Sequence, residues 1–502
     1  MKDKCYNRII SLWNSLSNTD WIVLIVYQCL NLVFLFFHEP WRDEAEAWVI
    51  ARDYSFLQVL YHLSSEGQPL LWFLLVLPFA KAGFPYVCFG CVSYLICGFA
   101  AYFFLRYCRF KKIYRWLILF SFIFTYYNPV ICRSYSLVLL LIVMLTGVWE
   151  TRYEEPLRYG ILVALLFQSH LLVSGIAIGC MLDQLICAIF GSPASRTKLW
   201  IGSGISITSF LLLILEMYPF PSKVFQPSVN FTHLFANLQT YDARSKLRIL
   251  FNTLYRMEDQ RIVVIVLIGI AILLFTLTVL QFAGMIDKDK GAVISLFGWV
   301  LTVWLGICAY FFIVICVREA NHIQLALVLM MILLFAVCTA RPKRLRLPKM
   351  LYLWNLRILF ILMCLAGYPR LVRSICSDMT GLFSNSGEMA DFIKENTPAK
   401  SVVAVRDDYC IPSVSAYFRG DMEGIVFWNI CTDNEFVNYE WGYPYPLADI
   451  NKVKERFAGE NIYYLSSTGY EAVIPLDDIT LIHAEDEYSV MGESFYLYEV
   501  RQ

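Results

Sequence analysis

Residues 21–37 read WIVLIVYQCLNLVFLFF, and without a break residues 38–53 read HEPWRDEAEAWVIARD. The first stretch carries no charge and is about as long as an α-helix must be to cross roughly 30 Å of hydrocarbon at about 1.5 Å per residue. The second packs Glu39, Asp43, Glu44 and Glu46 around Arg42, Trp41 and Trp48. An apolar helix that ends on charges and interfacial tryptophans reads as a membrane span and its exit. A basic leader (Lys2, Lys4, Arg8) precedes the span, and His38-Glu39-Pro40 follows it where a signal peptide would have small residues, so the span reads as a retained anchor.

Working outward, similar apolar runs occur at 84–105, 116–131, 136–149, 159–169, 171–190, 199–218, 262–282, 292–316, 323–340 and 350–367. That makes about eleven predicted membrane helices in all. Composition agrees. The chain of 502 residues is 58% apolar, 16% aromatic and 16% charged, whereas soluble domains are about half apolar and about a quarter charged. Lys plus Arg and Asp plus Glu both total 41, a balance that gives no reason to expect a nucleic-acid partner. Many of the cysteines, Cys97, Cys180, Cys187 and Cys364 among them, fall within apolar runs without metal-ligand spacing and read as small apolar fillers.

The basic loops orient the bundle. With the N-terminus inside and a crossing at each run, the stretches 106–115 (RYCRFKKIYR), 150–158, 192–198, 287–290 and 341–349 (RPKRLRLPK) all become cytoplasmic, as the positive-inside rule requires. The apolar segment 69–80 is too short to span and is expected to lie in the outer interface. The first outer loop is then 38–83, within a membrane region 1–367. Beyond it, 368–502 should form an extracytoplasmic α/β domain, with strands at 401–405, 425–428, 462–465, 479–483 and 495–500 and helices at 387–396 and 449–459. The expected fold is an α-helical polytopic membrane protein with a C-terminal soluble α/β domain, in a plasma (inner) membrane.

Polar residues gather at the outer ends of the predicted spans. Besides the acidic loop these are Arg133, Ser134 and Tyr135 at one outer turn, His170 at the next, and Arg318 with His322 at a third. Charges at the lipid boundary are costly and usually functional. Arginine matches phosphate geometry with paired donors, so the convergence suits a lipid whose phosphate sits at the membrane edge. The plainer reading of the loop is a capping box, with Asp43 as N-cap and Glu46 three residues on, opening a helix that ends near Asp53. Asp183, deep in a span, reads as structural.

The segment 38–53, followed by Glu66-Gly67-Gln68-Pro69-Leu70-Leu71-Trp72 and Arg133-Ser134-Tyr135-Ser136, resembles bacterial membrane glycosyltransferases of the GT-C superfamily, near the protein-mannosyltransferase-like family 39 group. The resemblance implies an inverting transfer of a hexosyl or pentosyl group from a polyprenyl-phosphate donor to a glycan, lipid or protein acceptor. It implies Asp43 as catalytic base or metal-site carboxylate and Glu44 as its companion. Arg133, Arg318 and His322 are candidates for the donor phosphate, and Arg42, Glu46, His170 and Tyr135 for the surrounding substrate site. Gln68-Pro69 stands where many relatives have His-Pro, so no histidine role carries over there. No ligand spacing specifies a metal, and a divalent ion is left open. A polymerase or ligase of lipid-linked oligosaccharides is the nearest alternative enzyme. A lipid or sugar transporter would place its charges near the midplane on repeated halves.

Overall fold

The computed structural model of the chain describes residues 16–66, 68–108, 110–191, 195–218, 297–306, 367–406, 410–419, 424–435, 450–468 and 478–501, with a few helical residues between 331 and 365. The predicted run 262–282, most of 292–316, 323–340 and 350–367, and the turn with Arg318 and His322 lie outside them. The described chain is mostly helical. Four of its helices are long and apolar enough to cross a membrane: Asn18–Phe37, Val87–Tyr107, Leu171–Phe190 and Arg196–Glu216.

In chain order, α1 (Asn18–Phe37) is capped by the Ser17 hydroxyl, which accepts from Asp20 N–H at 3.3 Å. It leads into α2 (Arg42–Asp53), α3 (Phe56–Glu66) and α4 (Leu70–Lys81). At 12 residues, α4 is about 18 Å long, too short to cross, and it packs against α2. The long helix α5 (Val87–Tyr107) lies beside α1 and against α7 (Tyr135–Val148), while α8 (Pro156–Phe167) packs on α7, α9 (Ser174–Phe190) and α10 (Arg196–Glu216). The α8–α10 crossing uses small residues. A Cβ added at Gly160 would strike the Gly202 carbonyl, and Ser206 and Ser209 donate to the carbonyls of Gly160 and Ala164, the close-packed, polar-stitched contact that helices use in lipid. Ile22, Phe36, Leu95, Phe99, Phe190 and Leu215 point outward and exposed, an arrangement compatible with a membrane protein.

Three predicted spans differ. For the runs 136–149 and 159–169 the helices, α7 and α8, have only 14 and 12 residues and are shorter than a crossing needs. The run 116–131 is a short helix α6 (Lys112–Leu119) followed by a π-helical turn, Ile123–Tyr127. The cause is local: the Ser121 and Thr125 hydroxyls donate to the carbonyls of Ile118 and Leu119 at 2.7 and 2.9 Å, competing with the backbone ladder. Hydropathy registers only the apolar length.

After α11 (Tyr368–Met379), which packs against α1 and the π turn, comes α12 (Ser386–Asn396) and a five-stranded sheet of order β2-β1-β3-β5-β4. β1 (Ser401–Val405) pairs in parallel with β2 (Ile425–Asn429) and β3 (Asn461–Ser466); β5 (Phe495–Val500) runs antiparallel to β3 and to β4 (Ile479–Glu485). Central β1 is buried along its whole length because both faces are covered. Val403 and Val405 join Met389 and Ile393 of α12 and Ile411 of α13 (Ile411–Ser415), whereas Val402 and Ala404 join Val453 of α14 (Ile450–Arg456). An uninterrupted apolar strand is what a two-sided parallel arrangement requires.

Candidate functional site

The site is built where α1 ends. α2 starts at Arg42, two residues earlier than the capping-box reading expects. Its N-cap is Trp41, whose N–H donates to the N3 carboxylate of Glu44 at 3.1 Å. Asp43 is therefore not the N-cap. It sits within the first turn with a side chain 29% exposed, and its Oδ2 accepts from Arg133 Nη1 at 2.7 Å. Arg42 Nε lies 3.5 Å from the other oxygen.

The adjacent carboxylate faces the other way. Glu44 is fully buried; Oε1 accepts from His38 Nε2 at 2.8 Å as well as from Trp41, and Oε2 accepts from the Cys132 N–H at 2.8 Å. One residue thus ties the exit of α1, the start of α2 and the turn carrying Arg133. His38 uses its second nitrogen on Asp378 of α11, 3.2 Å from each oxygen, and the Tyr126 hydroxyl of the π turn donates to the same carboxylate at 2.7 Å. Burial alone would push the His38 imidazole down, but the carboxylates of Glu44 and Asp378 prevail and raise it to about 10. It is an imidazolium between two carboxylates, satisfied on both nitrogens.

Behind Arg133 stand two rings. Its Cζ is 5.6 Å from the Tyr135 ring centroid, and Tyr135 stacks on His170 with centroids 4.5 Å apart and planes at 18°. His170 caps the turn before α9, its Nδ1 accepting from Leu172 N–H at 3.1 Å. Burial, reinforced by Arg133, pushes it down to about 3, so it is a neutral ring. Two polar atoms here have no hydrogen-bond partner among the described residues although they are buried: Arg133 Nε and the Tyr135 hydroxyl. Buried donors are normally satisfied; these two retain unused hydrogen-bonding capacity.

The sheet domain closes over this region. Arg52 Nη1 donates to the carbonyls of Ser415 and Phe418 at 2.7 and 2.6 Å, Ser386 Oγ donates to the Pro40 carbonyl at 2.8 Å, and the Arg42 N–H donates to Glu493 Oε1 at 2.9 Å.

The structure thus brings together Asp43, Arg42, Arg133, Tyr135 and His170 from three separate stretches of sequence. Glu44 lies next to them but turned inward, and Glu46 is half-buried on α2. Arg318 and His322 lie outside the described residues. Asp43 and Glu44 do not converge on one point, and among the described residues no three His, Cys, Asp or Glu side chains gather as a metal-binding group. Sequence reasoning missed His38 as a bridging cation and Asp378 altogether. The first had a signal, a histidine at a span exit six residues before Glu44; the second is 340 residues away and had none. Asp183, by contrast, has its partner in Arg152 at 2.7 Å, in keeping with its structural reading. Compared with known proteins, the chain matches no family model and no curated protein.

Proposed function

We propose that the chain is a membrane glycosyltransferase of GT-C type, moving a sugar from a polyprenyl-phosphate donor to an acceptor on the extracytoplasmic face, with its N-terminus cytoplasmic and the sheet domain outside. One observation carries this reading: a part-exposed carboxylate, Asp43, is paired at the end of apolar helices with an arginine that retains an unused, buried donor. A lipid phosphate presented at the membrane edge fits that spare capacity, because a guanidinium offers paired donors to phosphate oxygens.

The pairing also suggests the order of events. The donor phosphate takes over Arg133, and the Asp43 carboxylate, released from its partner, accepts the proton of the acceptor hydroxyl. The acceptor oxygen bonds to the anomeric carbon as the carbon–oxygen bond to the phosphate breaks, and the departing electron pair rests on phosphate oxygen beside Arg133. His38, Glu44 and Asp378 are positioning residues, holding the α2 start and the Arg133 turn at a fixed separation. Arg318 and His322 remain proposed phosphate ligands from the same face.

The test is mass spectrometry of polyprenyl-linked sugars and of envelope glycans in cells with the protein, without it, and with Asp43→Asn. A polyprenyl-phosphate sugar that accumulates without the protein and with the variant supports the reading. Unchanged lipid and glycan profiles in all three overturn it.

A further inference from the structure

A second place in the molecule pairs cations with an apolar floor. A cavity of about 290 Å³ opens between the last turn of α1, the start of α5 and the sheet domain. Its floor includes Leu35 and Phe36 of α1 and Val87 of α5; its roof is Lys394 of α12, Tyr417, and Arg419 beyond α13. Lys394 Nζ lies 5.6 Å from the Tyr417 ring centroid and 5.1 Å from that of Phe418. Both cations are exposed, and neither is ion-paired with a carboxylate among the described residues. The buried His38 imidazolium forms part of the wall.

The two halves of the cavity ask for one kind of occupant. A soluble anion has no use for the apolar floor, and an apolar molecule has none for two unpaired cations. An amphiphile with an anionic head satisfies both, at the level where the apolar helices end. The volume accommodates a phosphate head and the first few methylenes. The remaining chain would leave past Phe36, whose side chain is 72% exposed.

We infer that this cavity seats the phosphate headgroup of a membrane lipid, which bridges the sheet domain to α1 and α5. The inference is independent of glycosyl transfer. The cations come from the sheet domain and the floor from the membrane helices, so the lipid completes a junction that the protein makes elsewhere through Arg52, Ser386 and Glu493.

Native mass spectrometry of the detergent-purified full chain, titrated with phosphatidylglycerol, tests it. Lys394→Gln with Arg419→Gln should weaken retention roughly thirtyfold, given the attraction of about one kcal/mol per basic residue near an anionic membrane surface. Val87→Trp, which fills the floor and leaves the charges, should weaken it too. Asp43→Asn should retain the lipid as the wild type does. Equal retention by the charge variant overturns the proposal. So does an effect of the charges with none from Val87→Trp, which would mean surface attraction without a cavity. Tighter retention by Asp43→Asn would place the lipid at the Asp43–Arg133 pair instead, because that carboxylate competes with phosphate for Arg133, and would overturn the proposal. Inorganic phosphate displacing phosphatidylglycerol at equal concentration would make the occupant a free anion, which also overturns it.

Discussion

Two arginine–aspartate pairs lie at opposite ends of the same helices, each closed at 2.7 Å, and they are put to different use. In the Arg152–Asp183 pair every guanidinium nitrogen is engaged. Arg152 Nε and Nη2 reach Asp183, Nη1 donates to the Trp149 carbonyl at 2.6 Å, and Nη2 also meets the Tyr153 hydroxyl at 2.9 Å, with the guanidinium 3.9 Å over the Trp149 ring. The Tyr153 hydroxyl donates to Asp183 at 2.7 Å, and the carboxylate is fully buried. In the Arg133–Asp43 pair the acid is part-exposed and Arg133 Nε has no partner among the described residues. The two pairs share a distance and differ in how much of their hydrogen-bonding capacity is used.

The sharpest way to break this contrast is Asp183→Ala. It strands a buried guanidinium and should lower stability by about 3–5 kcal/mol, as expected when one partner of a buried pair is removed. Thermal unfolding of the purified protein measures it. A variant as stable as wild type would erase the distinction between the two pairs.

Asp43→Asn is the matching cut at the open pair. Asn keeps an oxygen for Arg133, so the loss of stability should be far smaller than for Asp183→Ala. Sugar transfer should nonetheless fall about 100-fold, the usual scale for a removed general base. Full activity would leave Asp43 a structural partner like Asp183. Arg133→Lys is the milder test: it preserves charge and loses the planar fork, and donor turnover should drop about tenfold. If Lys serves as well, the phosphate does not use the fork.

Much of the architecture was legible because it is written locally. The strand at 401–405 is found with the expected bounds, since a five-residue apolar run flanked by turns reads the same way in sequence and in a covered sheet. The α2 start was misplaced by two residues because Glu44, not Glu46, reaches back to the chain entering the helix. The 116–131 run was read as one span because hydropathy does not see the Ser121 and Thr125 side chains bonding to the preceding turn. Part of this cluster was also legible: Asp43, Arg133, Tyr135 and His170, which the structure brings together, were singled out by their place at span ends. Its support was not, because His38–Asp378 is a long-range contact, and Arg152 looked like one more basic loop residue until its ring partners and Asp183 were in place.

The smallest expected effect concerns how the sheet domain is fastened to the open pair. Glu493 is buried, accepts the Arg42 N–H at 2.9 Å and the Ser384 hydroxyl at 2.6 Å, and lies next to the residue that carries the proposed base. Burial raises its carboxyl, opposed by Ser384 and Arg42, and leaves it at about 7. An acid raised on folding binds more protons folded than unfolded between its ordinary value and about 7, so its contribution to stability is full below that window and is lost as pH rises through it. Glu493→Gln keeps an acceptor for the Arg42 N–H and removes the ionisation. Below the window, stability should change by no more than about 1 kcal/mol, the scale of one hydrogen bond. Above it, the variant should be the more stable protein. Denaturant unfolding of both proteins across that pH range reads the crossing. Parallel curves would mean that Glu493 is ionised in the folded protein throughout, and that the contact between the sheet domain and α2 does not respond to pH.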